Sequence, residues 1–162
     1  AESEIGHNHV YRFDPANGEV IVVADDFDRP NGLAFSPDES ELYIADSGHA
    51  RGHGFGFADG RPRHVRGFKV VDGKRLANSR VVAVINEKVP DGLRVDTEGL
   101  LWISAGDGIH CYTPQGERLG RILVPETVAN LTFGGFGKTR MFICATSSLY
   151  AIETARTGAQ WP

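Results

Sequence analysis

Two kinds of β-hairpin alternate along this 162-residue chain, and that alternation restricts the fold more than any other feature. Three stretches of the first kind read alike. Pro30-Asn31-Gly32-Leu33-Ala34-Phe35-Ser36-Pro37-Asp38 leads into residues 41–46. Pro90-Asp91-Gly92-Leu93-Arg94-Val95-Asp96 leads into 100–105. Ala129-Asn130-Leu131-Thr132-Phe133-Gly134-Gly135 leads into 140–145. Each is a short apolar strand, a turn rich in Gly, Asp, Pro or Ser, and a second apolar strand. Hairpins of the second kind lie between them. They turn at Asn17-Gly18, at Asp72-Gly73 and at Pro114-Gln115-Gly116, and a fourth begins at Leu149-Tyr150-Ala151-Ile152. Asn-Gly and Asp-Gly reach positive φ at low cost, as a two-residue hairpin loop requires.

Two successive hairpins make a four-stranded antiparallel unit, and a repeat of about 40 to 55 residues built this way is the signature of a propeller blade. The 20 glycines and 8 prolines punctuate short strands, and no helical period holds over a dozen residues. The expected fold is therefore all-β, a single partial β-propeller over residues 1–162. It would comprise a half blade (9–27), two full blades (31–85 and 91–125) and an incomplete blade (129–154). The glycine-rich stretch 47–60 reads as a surface loop. Just over three blades leave an open arc, whereas propellers close with about 4 to 8, and exposed strand edges are avoided. Either further blades precede this sequence or two copies associate as a homodimer that completes the ring. The start in mid-blade favours the first.

The net charge of −4 gives no electrostatic footprint for nucleic acid or for an anionic membrane. No apolar run approaches the roughly 20 residues of a spanning helix, and no secretory leader is visible, so a cytoplasmic location is expected. Cys111 and Cys144 sit in apolar strand-like runs and read as a pair of small buried hydrophobes; no CxxC spacing suggests zinc or redox chemistry.

The PNGLAFSPD string at 30–38, PDGLRVDTEG at 90–99 and Asn130-Leu131-Thr132-Phe133-Gly134-Gly135 together resemble the gluconolactonase, or senescence marker protein (regucalcin)-like, family. The likeness runs over nearly the whole chain and corresponds to about the C-terminal half of a six-bladed member. It implies a calcium-dependent lactonase of carbohydrate metabolism, which opens a sugar lactone to the aldonic acid with a metal-activated water. Zn2+, Mg2+ or Mn2+ are alternatives to Ca2+. The resemblance assigns metal ligation to Asn31 and Asp91, with a third ligand, a glutamate, upstream. Carboxylate and amide oxygens suit a hard cation. Asp91 is also the candidate general base, although a carboxylate beside a divalent cation is a weakened one. Asp46 and Asn130 are candidates for supporting those ligands or touching substrate. Asp46 reads equally well as a turn residue, and Asn130 falls one residue off the Asn31 register.

His49 and His53 have the i, i+4 spacing of zinc ligands, but the glycines around them would not hold a helix; they read as solvated loop residues, as do His7 and His9. Arg51 and Phe55 are candidates for a lid. Tyr43 and Trp102 read as core residues at matched positions. No Gly-x-Ser-x-Gly elbow is present, which disfavours a serine esterase. Two rival readings stand beside the lactonase: a non-catalytic propeller used as a binding scaffold, and an inactive truncated piece of a lactonase.

Overall fold

The computed structural model describes residue 6 and residues 8–51 and 56–159, and among these the chain is antiparallel β throughout apart from one short 3-10 turn. The first sheet pairs β1 (Asn8–Asp14) with β2 (Glu19–Phe27). A second begins with β3 (Pro30–Phe35) and β4 (Glu41–Asp46). It is interrupted by a small ladder of β5 (Ala50–Arg51) and β6 (Gly56–Phe57), and is completed by β7 (His64–Val71) and β8 (Arg75–Val84). A third runs in order through β9 (Leu93–Val95), β10 (Leu101–Ala105), β11 (Gly108–Tyr112) and β12 (Arg118–Leu123). The last holds β13 (Val128–Gly134), β14 (Arg140–Ala145) and β15 (Leu149–Glu153). This is a partial propeller of about three blades. Among the described residues no helix is long and apolar enough to cross a membrane.

Side chains alternate across each strand, so a sheet packed on both faces must be apolar at successive residues. β4 meets that demand. Leu42 and Ile44 point back to Val10, Ala24 and Phe27 of the first sheet, while Tyr43 and Ala45 point forward to Leu93, Leu101 and Ile103 of the third. β10 repeats the arrangement, and β14 sends Met141 and Ile143 onto Ile109. Each large side chain fully buried between sheets contributes roughly 1.5–3 kcal/mol, so the sheets cohere through three inter-blade cores.

Both end sheets carry exposed side chains on their outer faces. Tyr11 and Phe13 face Val22 and Val20 across the first sheet, and all four are exposed. Cys144 is also exposed, on β14, contrary to the expectation of two buried cysteines: among the described residues no further sheet packs against its face of the last sheet, whereas Cys111 is buried. Two loops also depart from the expected two-residue form. Residues 15–18 make a four-residue turn in which the Asp14 carboxylate accepts from Ala16 N, and residues 72–74 a three-residue one with positive φ at both Asp72 and Gly73.

Register fixes which connections share a rim. Pro30, Asp46, His64 and Val84 stand side by side at one end of the second sheet. The described residues of the connection after β4 (47–51 and 56–63) and the connections 85–92, 106–107 and 124–127 therefore lie on one rim, the site rim. The tight turns at 15–18, 36–40, 72–74, 96–100 and 113–117 lie on the other, the turn rim.

Candidate functional site

The innermost strands of successive sheets start beside one another on the site rim. Gly32 N donates to Asp91 O at 3.2 Å, and Gly92 N donates to Ala129 O at 2.9 Å, the same link one blade on. A Cβ on Gly32 would lie 2.3 Å from Asp91 O, and one on Gly92 would lie 2.2 Å from Asn130 Oδ1. Glycine is what allows the strands to come this close. Asn31 and Asp91 thus hold equivalent positions and become neighbours although 60 residues separate them (91 − 31).

Burial pushes the half-buried Asp91 carboxyl above its ordinary range, while a hydrogen bond from the Asn31 side chain works the other way. Among the described residues no lysine or arginine pairs with it. A partly desolvated carboxylate beside an amide, with no positive partner, fits a hard divalent cation. Ser47, which the sequence reading passed over, joins the pair. It is 2% exposed; its Oγ accepts from Asn31 Nδ2 at 3.2 Å and donates to Pro90 O at 2.6 Å, on the residue before Asp91. Its main partner is 43 residues away, so no local signal marks it.

Asp46 lies beneath this corner, 1% exposed. Its Oδ2 accepts from Asp28 N at 3.0 Å, and its Oδ1 from Arg29 N at 2.9 Å and Gly48 N at 3.1 Å. It ties the segment leading into Asn31 to the start of the long loop. Asn130 sits one residue beyond the Asn31 and Asp91 position, which Ala129 occupies in the last sheet. Its Oδ1 accepts from Leu131 N at 2.8 Å.

The described parts of the long connection, 47–51 and 56–60, fold inward. His49 is buried, not solvated: its Nδ1 lies 2.7 Å from Ala58 O, its ring stacks on Phe57, and its N donates to Pro62 O. The glycines at its ends permit that inward fold. His49 and His64 line a cavity of about 470 Å³ on the site rim, together with Arg61 and Arg63. His9 rests against Tyr11. His7, His53 and Phe55, and the side chain of Arg51, lie outside the described residues. Tyr43 is core, and the half-buried Trp102 donates to Asp96 Oδ2 at 2.9 Å.

A second cluster on the site rim joins Glu87, Asp107 and the fully buried His110. His110 Nε2 is 2.7 Å from Asp107 Oδ1, and Arg121 Nη1 is 2.7 Å from Asp107 Oδ2 and 3.6 Å from Glu87. Burial pushes the Asp107 carboxyl up, but the hydrogen bond and charge of His110 and the charge of Arg121 outweigh it and leave the group below its usual range. Arg121 already balances these carboxylates, so a cation has a resident competitor here that it lacks at Asp91.

The family model described as "SMP-30/Gluconolactonase/LRE-like region" matches residues 1–147. A gluconolactonase of Zymomonas mobilis subsp. mobilis is 31% identical over 166 residues, covering 96% of this chain and 43% of that protein. A gluconolactonase structure from Xanthomonas campestris superposes with a TM-score of 0.80 at 34% identity, covering 94% of this chain and 46% of that one. A crystal structure of a further protein described as a gluconolactonase gives a TM-score of 0.83 at 32% identity, covering 99% and 50%. The chain spans half or less of the length of each of these proteins.

Proposed function

The chain belongs to the SMP-30/Gluconolactonase/LRE-like family, and on that premise we propose that it carries the Asn31–Asp91 part of a calcium-dependent site that hydrolyses a sugar lactone to the aldonic acid. The observation that carries this reading is the meeting of an amide and a partly desolvated carboxylate, without a lysine or arginine partner among the described residues, at the starts of adjacent inner strands. A divalent cation bound there supplies Lewis acidity toward the lactone carbonyl. Asn31 contributes a neutral oxygen and Asp91 a charged one, a donor pair suited to calcium. Binding a cation keeps the Asp91 carboxylate ionised and lowers its basicity, so its main work is to bind and orient. Gly32 lets the Asn31 strand approach the Asp91 strand closely enough to set the two residues side by side. Because the chain spans half or less of its relatives' length, we assign the remaining oxygen ligand to further propeller strands, on the same polypeptide or on a second copy.

Acid release from D-glucono-1,5-lactone, followed with calcium and with EDTA, tests the reading. Turnover is expected to need calcium and to fall at least about 100-fold in Asp91→Ala, the loss that follows when a few kcal/mol of charge stabilisation goes. Turnover that is indifferent to EDTA or unchanged in Asp91→Ala overturns it; no turnover by the unmodified chain makes the chain an inactive piece of a lactonase, or a binding scaffold if Asp91→Ala also leaves calcium binding unchanged.

A further inference from the structure

We infer that Ser47 is a positioning residue that fixes which way the Asn31 amide faces, so that its oxygen and not its nitrogen is offered to a cation. This rests on the cation-binding reading of Asn31 and Asp91. An asparagine side chain is nearly symmetric in shape but opposite in chemistry at its two ends: Oδ1 accepts and Nδ2 donates. A flipped amide would present N–H groups to a cation and repel it. A ligand asparagine therefore needs a neighbour that can tell its ends apart.

Ser47 has the chemistry to do so. A serine hydroxyl carries one proton, and Pro90 O, which can only accept, lies 2.6 Å from Oγ. That contact commits the proton and leaves Oγ with lone pairs alone toward Asn31. Only the Nδ2 end can then sit 3.2 Å away without setting two acceptors face to face. Ser47 is 2% exposed, so its hydroxyl does not readily turn to solvent for another partner. Its backbone is pinned as well: Ser47 N donates to Arg29 O, and Ser47 O accepts from Ala50 N, both at 2.9 Å. The other side agrees. The Asp91 carboxylate, when ionised, only accepts, so its hydrogen bond with the Asn31 side chain also comes from Nδ2. Ser47 thus engages Nδ2, and Oδ1 of the exposed Asn31 is the end left over. Pro90 adjoins Asp91, so one hydroxyl sets both candidate ligands against each other.

A carboxylate has oxygen at both ends and needs no such guide, which supplies the test. Calcium binding by the full chain is measured by calorimetry for the unmodified protein, Asp91→Ala, Ser47→Ala, Asn31→Asp and the double variant Asn31→Asp/Ser47→Ala, with thermal unfolding alongside. Ser47→Ala is expected to weaken calcium about 10- to 100-fold, the usual effect of removing a group that orients a ligand. In the Asn31→Asp background the same change is expected to cost less than about threefold, because neither oxygen then needs selecting. Equal losses in the two backgrounds would mean that Ser47 merely supports the fold, and would overturn the inference. Binding abolished by Asp91→Ala yet indifferent to Ser47→Ala would overturn it while sparing the ligand reading. No calcium binding by the unmodified chain would overturn both.

Discussion

The two rims are held by different kinds of bond. On the turn rim the side-chain bonds within the turns run to partners close in sequence, and the longer reaches are fewer, Thr97 N to Thr157 O and Arg80 to Pro114 O. Asp38 Oδ1 accepts from Ser36 and Ser40, Asp96 Oδ1 accepts from Glu98 N and Leu100 N, and Asn17 accepts from Glu19 N. On the site rim the partners are distant. Ser47 reaches Pro90 across 43 residues, Lys88 reaches Thr127 across 39, Arg61 reaches Asp28 across 33, and Glu126 reaches Ser147 across 21. A turn that satisfies its own backbone closes a hairpin and needs nothing from its neighbours. A rim whose bonds run between blades sets the blades' spacing, and a site made from several strand starts requires that spacing. The turn rim's side-chain bonds mainly close hairpins; those of the site rim mainly make the blades neighbours.

Glycine substitutions give the largest expected contrast. In Gly32→Ala the new methyl would lie 2.3 Å from Asp91 O and 2.8 Å from Gly92 Cα, both backbone atoms that cannot swing aside. We expect a loss of about 3 kcal/mol in urea unfolding, the upper part of the range for overpacking, together with loss of calcium binding. Gly73 on the turn rim has φ of +64° and nothing within 4 Å of an added Cβ. Gly73→Ala should cost about 1 kcal/mol of backbone strain and leave binding unchanged. Similar losses in the two variants would break the contrast between the rims.

What could be read from the sequence divides along the same line. The blades were legible because Asn17-Gly18, Asp72-Gly73 and Pro114-Gln115-Gly116 announce turns within a few residues, and because the strands between them alternate or run apolar as two-sided packing demands. Asn31 and Asp91 were legible as strand starts in a repeat, and the one-residue offset of Asn130 followed from lining up Leu33, Leu93 and Leu131. Ser47 and the buried His49 were not, since a hydroxyl or imidazole in a glycine-rich stretch gives no hint of a partner tens of residues away. Cys144 misled for the complementary reason: its strand pattern is that of a covered sheet, and the pattern does not say whether a blade lies against it.

A pair of buried aspartates separates the rims at intermediate cost. Asp46 and Asp96 are each 1% exposed and each accept three N–H groups, Asp46 from three backbone amides and Asp96 from two amides and the Trp102 indole. Alanine at either position strands those donors and should cost about 2–3 kcal/mol. Only Asp46 secures the segment that delivers Asn31. Calorimetric calcium affinity should therefore fall in Asp46→Ala and hold in Asp96→Ala at a temperature where both stay folded. A drop in both would mean that binding follows general stability.

The smallest contrast lies in acid. The Asp38 carboxyl is lowered to about 2 chiefly by the Ser36 hydroxyl and then by Ser40, and that of Glu126 to about 2 by Ser148, Tyr150 and Ser147 in that order. A carboxyl depressed in the folded chain stabilises it above the unfolded-state value, 3.8 for Asp38 and 4.5 for Glu126, and that contribution disappears as pH falls through about 2. The unfolded reference differs between the two. Both serines lie two residues from Asp38, so a hydrogen-bonded turn can persist locally after unfolding and carry part of the shift with it. Glu126 meets Ser147 and Tyr150 from 21 and 24 residues away and loses them when the sheet comes apart. Both groups are open to water, which keeps either effect modest. Urea midpoints followed from pH 5 to pH 2 should therefore flatten more in Glu126→Gln than in Asp38→Asn. The reverse order would mean that the turn at 36–40 depends on the assembled blade, and that the turn rim is less self-sufficient than its short-range bonds indicate.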